Sequence, residues 1–261
     1  MIPSTELKAQ ARITGVPEST VERDYAQNWL LQSINFIEHG LVLKGGTGIR
    51  KAYVPDYRFS DDLDFTMIEG TSLEKLGDWI IAAVEHSKEE SGINFDEEVK
   101  VKENVNGFEG IVYFRILRTT GSPLRIKLDI TKQERETILL DLEKRRINHP
   151  YSDTLNVDIL AYQLEEIIAE KLRAIFERTR PRDMYDVWYM TDISEKRIIS
   201  EIFAEKCRFK NLKPDIDSLF SRNEDFKNSW TSSLGHQLKE LPDFDSTFDA
   251  VVNLIREVIE K

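Results

Sequence analysis

The chain has 261 residues, with 36 Lys+Arg against 47 Asp+Glu, a formal net charge of −11 and a single cysteine. One thiol excludes an internal disulfide framework and a thiolate zinc cluster, and an apolar content of 40% excludes a disordered chain. No run approaches the roughly 18 apolar residues of a spanning helix, and Met1 to Ala11 lacks the apolar core of a signal peptide, so a cytoplasmic protein without membrane contact is expected. The acidic balance argues against a general nucleic-acid coat, although a local basic face can still hold phosphate.

Residues 19–40 open with Ser19-Thr20-Val21-Glu22, a capping-box pattern, and continue with Leu30, Leu31, Ile34 and Ile37 at helical spacing. A short apolar run, Leu41-Val42-Leu43, leads into Lys44-Gly45-Gly46-Thr47-Gly48, a tight turn, and then a short helix over Ile49–Tyr53. From Asp62 the sequence alternates through Leu63, Asp64 and Phe65 to Met67, and period two predicts a strand with both carboxylates on one face. Residues 72–91 form an amphipathic helix with Leu73, Leu76, Ile80, Ala83 and Val84 as its stripe. Residues 99–104, 110–119 and 124–131 read as strands between Asn106-Gly107 and Gly121-Ser122-Pro123 turns. From about residue 157 helices run to the end, interrupted near Pro181, Pro214 and Pro242. The expected class is α+β: a mixed sheet with flanking helices over residues 1–150, then a helical portion over 151–261, divided near Asn148-His149-Pro150.

Asp62 and Asp64 leave the same strand face roughly 6–7 Å apart at the backbone. Such a pair suits magnesium, which takes one or two carboxylates plus substrate phosphates. A third carboxylate, Asp129, lies on a later predicted strand, and three acids from adjacent strands can hold two metals for phosphoryl or nucleotidyl transfer. Taken alone, Asp-x-Asp is equally well explained as a solvated strand face. The glycine turn, 15 residues before Asp62, adds a second feature: Gly45 and Gly46 let backbone approach a triphosphate, and Thr47 offers a hydroxyl. It lacks the spacing of a P-loop. Gly-Gly is otherwise a structural turn, and Ser60 either binds phosphate or caps the strand.

Leu43-Lys44-Gly45-Gly46-Thr47 followed by Arg58-Phe59-Ser60-Asp61-Asp62-Leu63-Asp64-Phe65 and a later Asp resembles the DNA polymerase β-type nucleotidyltransferases, specifically their AbiEii/AbiGii toxin branch. Glu22-Arg23-Asp24-Tyr25 is similar to that branch too, and the likeness covers roughly residues 20–190. The superfamily usually has Ser where this chain has Thr47, which keeps the hydroxyl. The resemblance implies a nucleotidyltransferase core and a metal-dependent enzyme using Mg2+ or Mn2+. It also implies the toxin of a toxin–antitoxin pair with a cognate antitoxin, and relatives of the MenT type that add nucleotides to tRNA 3′ ends.

In the segment 158–178, Leu160, Leu164, Ile167, Ile168, Leu172 and Ile175 fall in one helical arc with Lys171 near its middle, while Glu166, Glu170 and Arg173 lie opposite. A lysine there needs a carboxylate or a phosphate as partner; it either snorkels, pairs structurally or binds triphosphate. Residues 171–182 carry five basic groups against Glu177, a local +4 that would steer RNA or triphosphate. Arg182-Asp183-Met184-Tyr185-Asp186 follows, and the resemblance carries an active-site role to Lys171 and Asp186, contributed by the helical portion. Asp183 reads as a helix cap. The resemblance thus implies transfer of NMP from a nucleoside triphosphate to RNA, with a tRNA 3′ end as acceptor. The alternatives are a nucleotide-binding module acting through a protein partner, a protein-modifying transferase, and a metal-dependent nuclease. Histidines 39, 86, 149 and 236 lack metal-ligand spacing, the tryptophans read as packing residues, and a monomer is expected for want of heptads.

Overall fold

A computed structural model describes residues 1–37, 40–191 and 195–259. The chain divides into two compact units, residues 1–136 with 142–162, and residues 137–141 with 163–261.

The first unit begins with α1 (Ser4–Thr14), a helix ahead of those expected, closed by Gly15 in a left-handed conformation. Helix α2 (Glu18–Phe36) starts directly after Pro17, and no side chain caps it. The capping box is therefore not used: Glu22 turns away to accept the Leu117 N–H at 2.7 Å. A mixed eight-stranded sheet follows, built from β1 (Leu41–Lys44), β2 (Asp62–Met67), β3 (Asn94–Phe95), β4 (Lys100–Asn104), β5 (Gly107–Arg115), β6 (Leu124–Lys132), β7 (Glu143–Arg146) and β8 (Asp158–Ala161). Its order is β3-β5-β6-β2-β1-β8-β7, with β4 on β5. Between β1 and β2 lie the short helix α3 (Gly45–Gly48) and a π-helical turn over Ile49–Tyr53; α4 (Leu73–Ser91) joins β2 to β3.

Strand β8 corrects the expected helix start. Asp158–Ala161 pairs with β7 and, at Ala161, with Leu43 of β1, so Leu160 belongs to a strand. Short apolar runs fit either period, and here the open edge of β1 decides.

Alternation sorts the sheet faces. Leu63, Phe65 and Met67 of β2, Ile126, Leu128 and Ile130 of β6, and Phe108, Val112 and Phe114 of β5 enter the core with Leu30, Leu31 and Ile34 of α2 and Leu76, Ile80 and Val84 of α4. The opposite face is polar: Asp62 and Asp64 on β2, Lys127 and Asp129 on β6, Glu109 on β5 and Lys44 on β1.

The second unit is helical: α5 (Leu164–Glu177), α6 (Pro181–Met190), α7 (Lys196–Phe209), α8 (Ile216–Ser221), α9 (Asn223–Leu234) and α10 (Phe244–Ile259). Pro181 stands at the first turn of α6, where its missing N–H costs nothing. Ile167, Leu172 and Ile175 of α5, Met184 and Val187 of α6, and Ile202 and Phe203 of α7 are buried. On the side of α5 expected to be polar, Glu166 and Arg173 are buried as well. Glu166 is completely enclosed, pairs with the fully buried Lys206 at 2.9 Å, and accepts the Leu139 and Leu140 N–H groups, which ties residues 137–141 to α5. No helix among the described residues is long and apolar enough to cross a membrane.

Candidate active site

Strand pairing brings Asp62, Asp64 and Asp129 onto one sheet face. Parallel pairing of β2 with β6 sets Asp64 opposite Asp129 and Asp62 opposite Lys127; antiparallel pairing with β5 sets Glu109 opposite Asp129, and β1 sets Lys44 opposite Asp64. One row across the sheet thus reads Glu109, Asp129, Asp64, Lys44. Asp62, Asp64 and Asp129 are half-buried. Lys44 is buried, with its ammonium 5.5 Å from the Tyr162 ring centre, and the Tyr162 hydroxyl donates to Thr66 at 2.7 Å.

The glycine turn packs against this row. Gly45 has φ +68°, and a methyl there would stand 2.3 Å from Asp64 Oδ2; one on Gly46 would stand 2.6 Å from Arg58 Nη2. Backbone therefore reaches the Asp64 carboxylate and the Arg58 guanidinium where a side chain would fill the space. Thr47 serves differently from its expected phosphate contact: it is fully buried and its hydroxyl donates to the Asp62 carbonyl, joining the turn to the start of β2. Ser60 is half-buried, and its carbonyl accepts from Gln27.

Helix α2 holds both approaches to the site. Gln27 Nε2 donates at 3.1 Å to the carbonyls of Ser60 and Asp61, and Arg23 pairs with Asp61 at 2.6 Å. Asp24, completely buried, receives Arg50 Nε at 2.7 Å, Lys51 Nζ at 2.6 Å and the Tyr151 hydroxyl at 2.8 Å. Burial alone would raise the Asp24 pKa, but the charges of Arg50 and Lys51 outweigh it and hold the carboxyl well below the usual range. Burial pushes Lys51 down to about 8 despite Asp24. Arg50 also stacks on Phe59, 3.7 Å from its ring centre, and donates to the Tyr57 carbonyl. Arg23, Asp24 and Gln27 of α2 are thereby the strut for residues 50–61.

Asp129 is committed to a partner. Lys127 Nζ lies 2.8 Å from Asp129 Oδ1 and 3.1 Å from Glu109 Oε2. Burial disfavours charged Lys127, yet these two carboxylates outweigh it and raise its pKa; Lys102 and Lys127 lower that of Glu109. Among the described residues no three His, Cys, Asp or Glu side chains converge as a metal cage. The Asp62 and Asp64 pair, all oxygen and bordered by bare glycine backbone, has the donor chemistry that suits a hard divalent cation sharing its remaining positions with phosphate.

In the second unit Lys171 of α5 pairs with Asp183 at 2.8 Å and with Asp186 at 3.0 Å, and Arg178 also meets Asp183, at 2.8 Å. Asp183 and Asp186 are buried. Asp183 is a central acceptor rather than a cap, and Lys171 with Arg178 drives its pKa well below normal against the cost of burial. The expected +4 patch is consequently largely neutralised: Lys171 and Arg178 face these aspartates, and Arg173 is buried beside Glu177.

The other candidates are structural. His39 lies outside the described residues; His86 stacks on Phe36, and His149 bonds Asn28 and Asp153. Cys207 is buried, which lifts its thiol to about 11. Sequence reasoning missed the pairing of Glu109 with Lys127; its signal was charge alternation on β5 and β6, legible only once those strands are paired.

Comparison with known proteins adds an independent line. The profile of the family described as nucleotidyl transferase AbiEii toxin, type IV toxin–antitoxin system, matches residues 29–253. No curated protein sequence matches the chain. Among solved structures, MenT4, a nucleotidyltransferase toxin of Mycobacterium tuberculosis, superposes with a TM-score of 0.68 at 16% identity, covering 100% of this chain and 91% of its own. An H. pylori protein named as a nucleotidyltransferase superposes with a TM-score of 0.60 at 16% identity, covering 94% of this chain and 96% of its own. At such identities these two likenesses establish the fold.

Proposed function

The chain belongs to the AbiEii family of nucleotidyl transferase toxins, and on that premise we propose that it transfers a nucleoside monophosphate from a nucleoside triphosphate to RNA, with a tRNA 3′ end as acceptor. The observation that carries the transfer chemistry is the seat of Gly45 against Asp64: bare backbone meets the carboxylate where a side chain would collide with it, and Asp62 stands two residues away on the same strand. Asp62 and Asp64 would hold the cation, Mg2+ or Mn2+. Gly45 and Gly46 would admit the triphosphate and Ser60 would contact it, while Thr47 ties the turn to the start of β2.

In the reaction the acceptor oxygen attacks the α-phosphorus, the bond from that phosphorus to the bridging oxygen of the β-phosphate breaks, and pyrophosphate leaves with the electron pair. The hydroxyl proton passes to water. When bound, the cation neutralises charge developing on the phosphate oxygens. Lys171 is assigned to the triphosphate by the family resemblance, and Asp183 and Asp186 fix its ammonium, which makes Asp186 a positioning residue. The type IV toxin–antitoxin description implies a cognate antitoxin as protein partner.

The test is incubation of the full chain with Mg2+, each α-labelled nucleoside triphosphate and total cellular RNA and protein. Label in a tRNA-sized band is the expected result and names the nucleotide. Label in protein would replace the acceptor, and reversible binding without label would replace the enzyme by a nucleotide-binding module.

A further inference from the structure

The sheet face that carries Asp62 and Asp64 has a cation of its own. Lys127, opposite Asp62 in register, places its Nζ 2.8 Å from Asp129 Oδ1 and 2.9 Å from Asp129 Oδ2, and 3.1 Å from Glu109 Oε2. An ammonium has three N–H donors, and these three carboxylate oxygens match them in number. The other Glu109 oxygen, Oε1, meets Lys102 at 2.8 Å, which holds Glu109 beside Lys127. Asp129 is thus flanked in register by Asp64 on one side and Glu109 on the other, with the ammonium seated on the Glu109 side.

We propose that Lys127 stands in for a second divalent cation at Asp129, so that the site holds one cation, on Asp62 and Asp64, and Lys127 supplies the neighbouring positive charge as a positioning residue. The inference rests on the metal-dependent reading above. A two-metal centre needs carboxylates shared between ions about 3.5–4 Å apart, and Asp129 could bridge them only by giving up Lys127. Removing the ammonium would leave Asp129 and Glu109 as adjacent carboxylates without their shared cation, a pair that a second divalent ion can neutralise.

The experiment counts Mn2+ bound per chain from the loss of the free-ion electron paramagnetic resonance signal, using the full chain without nucleotide. Thermal melts check the fold of each variant. Wild type should bind one ion, Lys127→Arg one, and Lys127→Met two; Lys127→Gln is the parallel neutral variant should the apolar one not fold. Asp129→Asn in the Lys127→Met background should restore a count of one. Two ions on wild type, or one on every protein, would overturn the inference while leaving the metal-dependent reading in place. No ion on any of them would overturn both.

Discussion

At Gly45 the backbone sits at φ +68° and the space for a side chain is already taken by Asp64 Oδ2. Alanine there meets two costs: about 1–2 kcal/mol for the left-handed conformation, and displacement of the carboxylate. We expect Gly45→Ala to lower the melting temperature and to weaken Mn2+ binding at least tenfold; unchanged binding would show that Asp64 does not depend on the bare backbone. Much of this was legible in the sequence. Alternation from Asp62 to Met67 set both aspartates on one face because the other face had to be apolar. The inward turn of Thr47 was not legible, since its acceptor is a carbonyl 15 residues away that only folding brings near. Nor was Asp183, which looks like a helix cap in sequence and is a buried acceptor for Lys171 and Arg178 in the fold.

At the scale of elements, α2 fixes residues 50–61, the stretch that leads into the carboxylate strand, and Asp24 is where that link concentrates. Asp24→Asn would leave Arg50 and Lys51 buried without their charge partner, a change that costs about 3–5 kcal/mol in comparable sites. The pH dependence follows from the sign of the shift. The folded-state pKa of Asp24 lies below its ordinary 3.8, so the ion pair contributes fully above that value and is lost as pH falls below about 4. Denaturant midpoints measured from about pH 6 to pH 3 should therefore drop for wild type, with a shallower slope for Asp24→Asn; equal slopes would contradict the assignment. Asp183 shifts in the same direction and adds to the wild-type slope. Sequence periodicity located α2 and β2 but misplaced the start of α5. Asp158–Ala161 fits a helical arc as well as a strand, and only the open edge of β1 and the partner β7 settle it.

For the whole molecule, a mixed sheet offers one face to the core helices and carries Asp62, Asp64 and Asp129 on the other, while a separate helical unit carries Lys171 between two buried aspartates. The α+β class was readable from the change of period along the chain. The pairing that turns β5 and β6 into the flank of the site was not, because cross-strand partners such as Glu109 and Lys127 are brought together by the sheet alone. The central claim is that Asp62 and Asp64 form the centre for nucleotidyl transfer. Its most direct measurement is pyrophosphate release by wild type and Asp62→Ala, with RNA, Mg2+ and the active triphosphate, on proteins of matched melting temperature. The account predicts a fall of at least about a thousandfold, roughly 4 kcal/mol of transition-state stabilisation. Release by Asp62→Ala within about tenfold of wild type would contradict it.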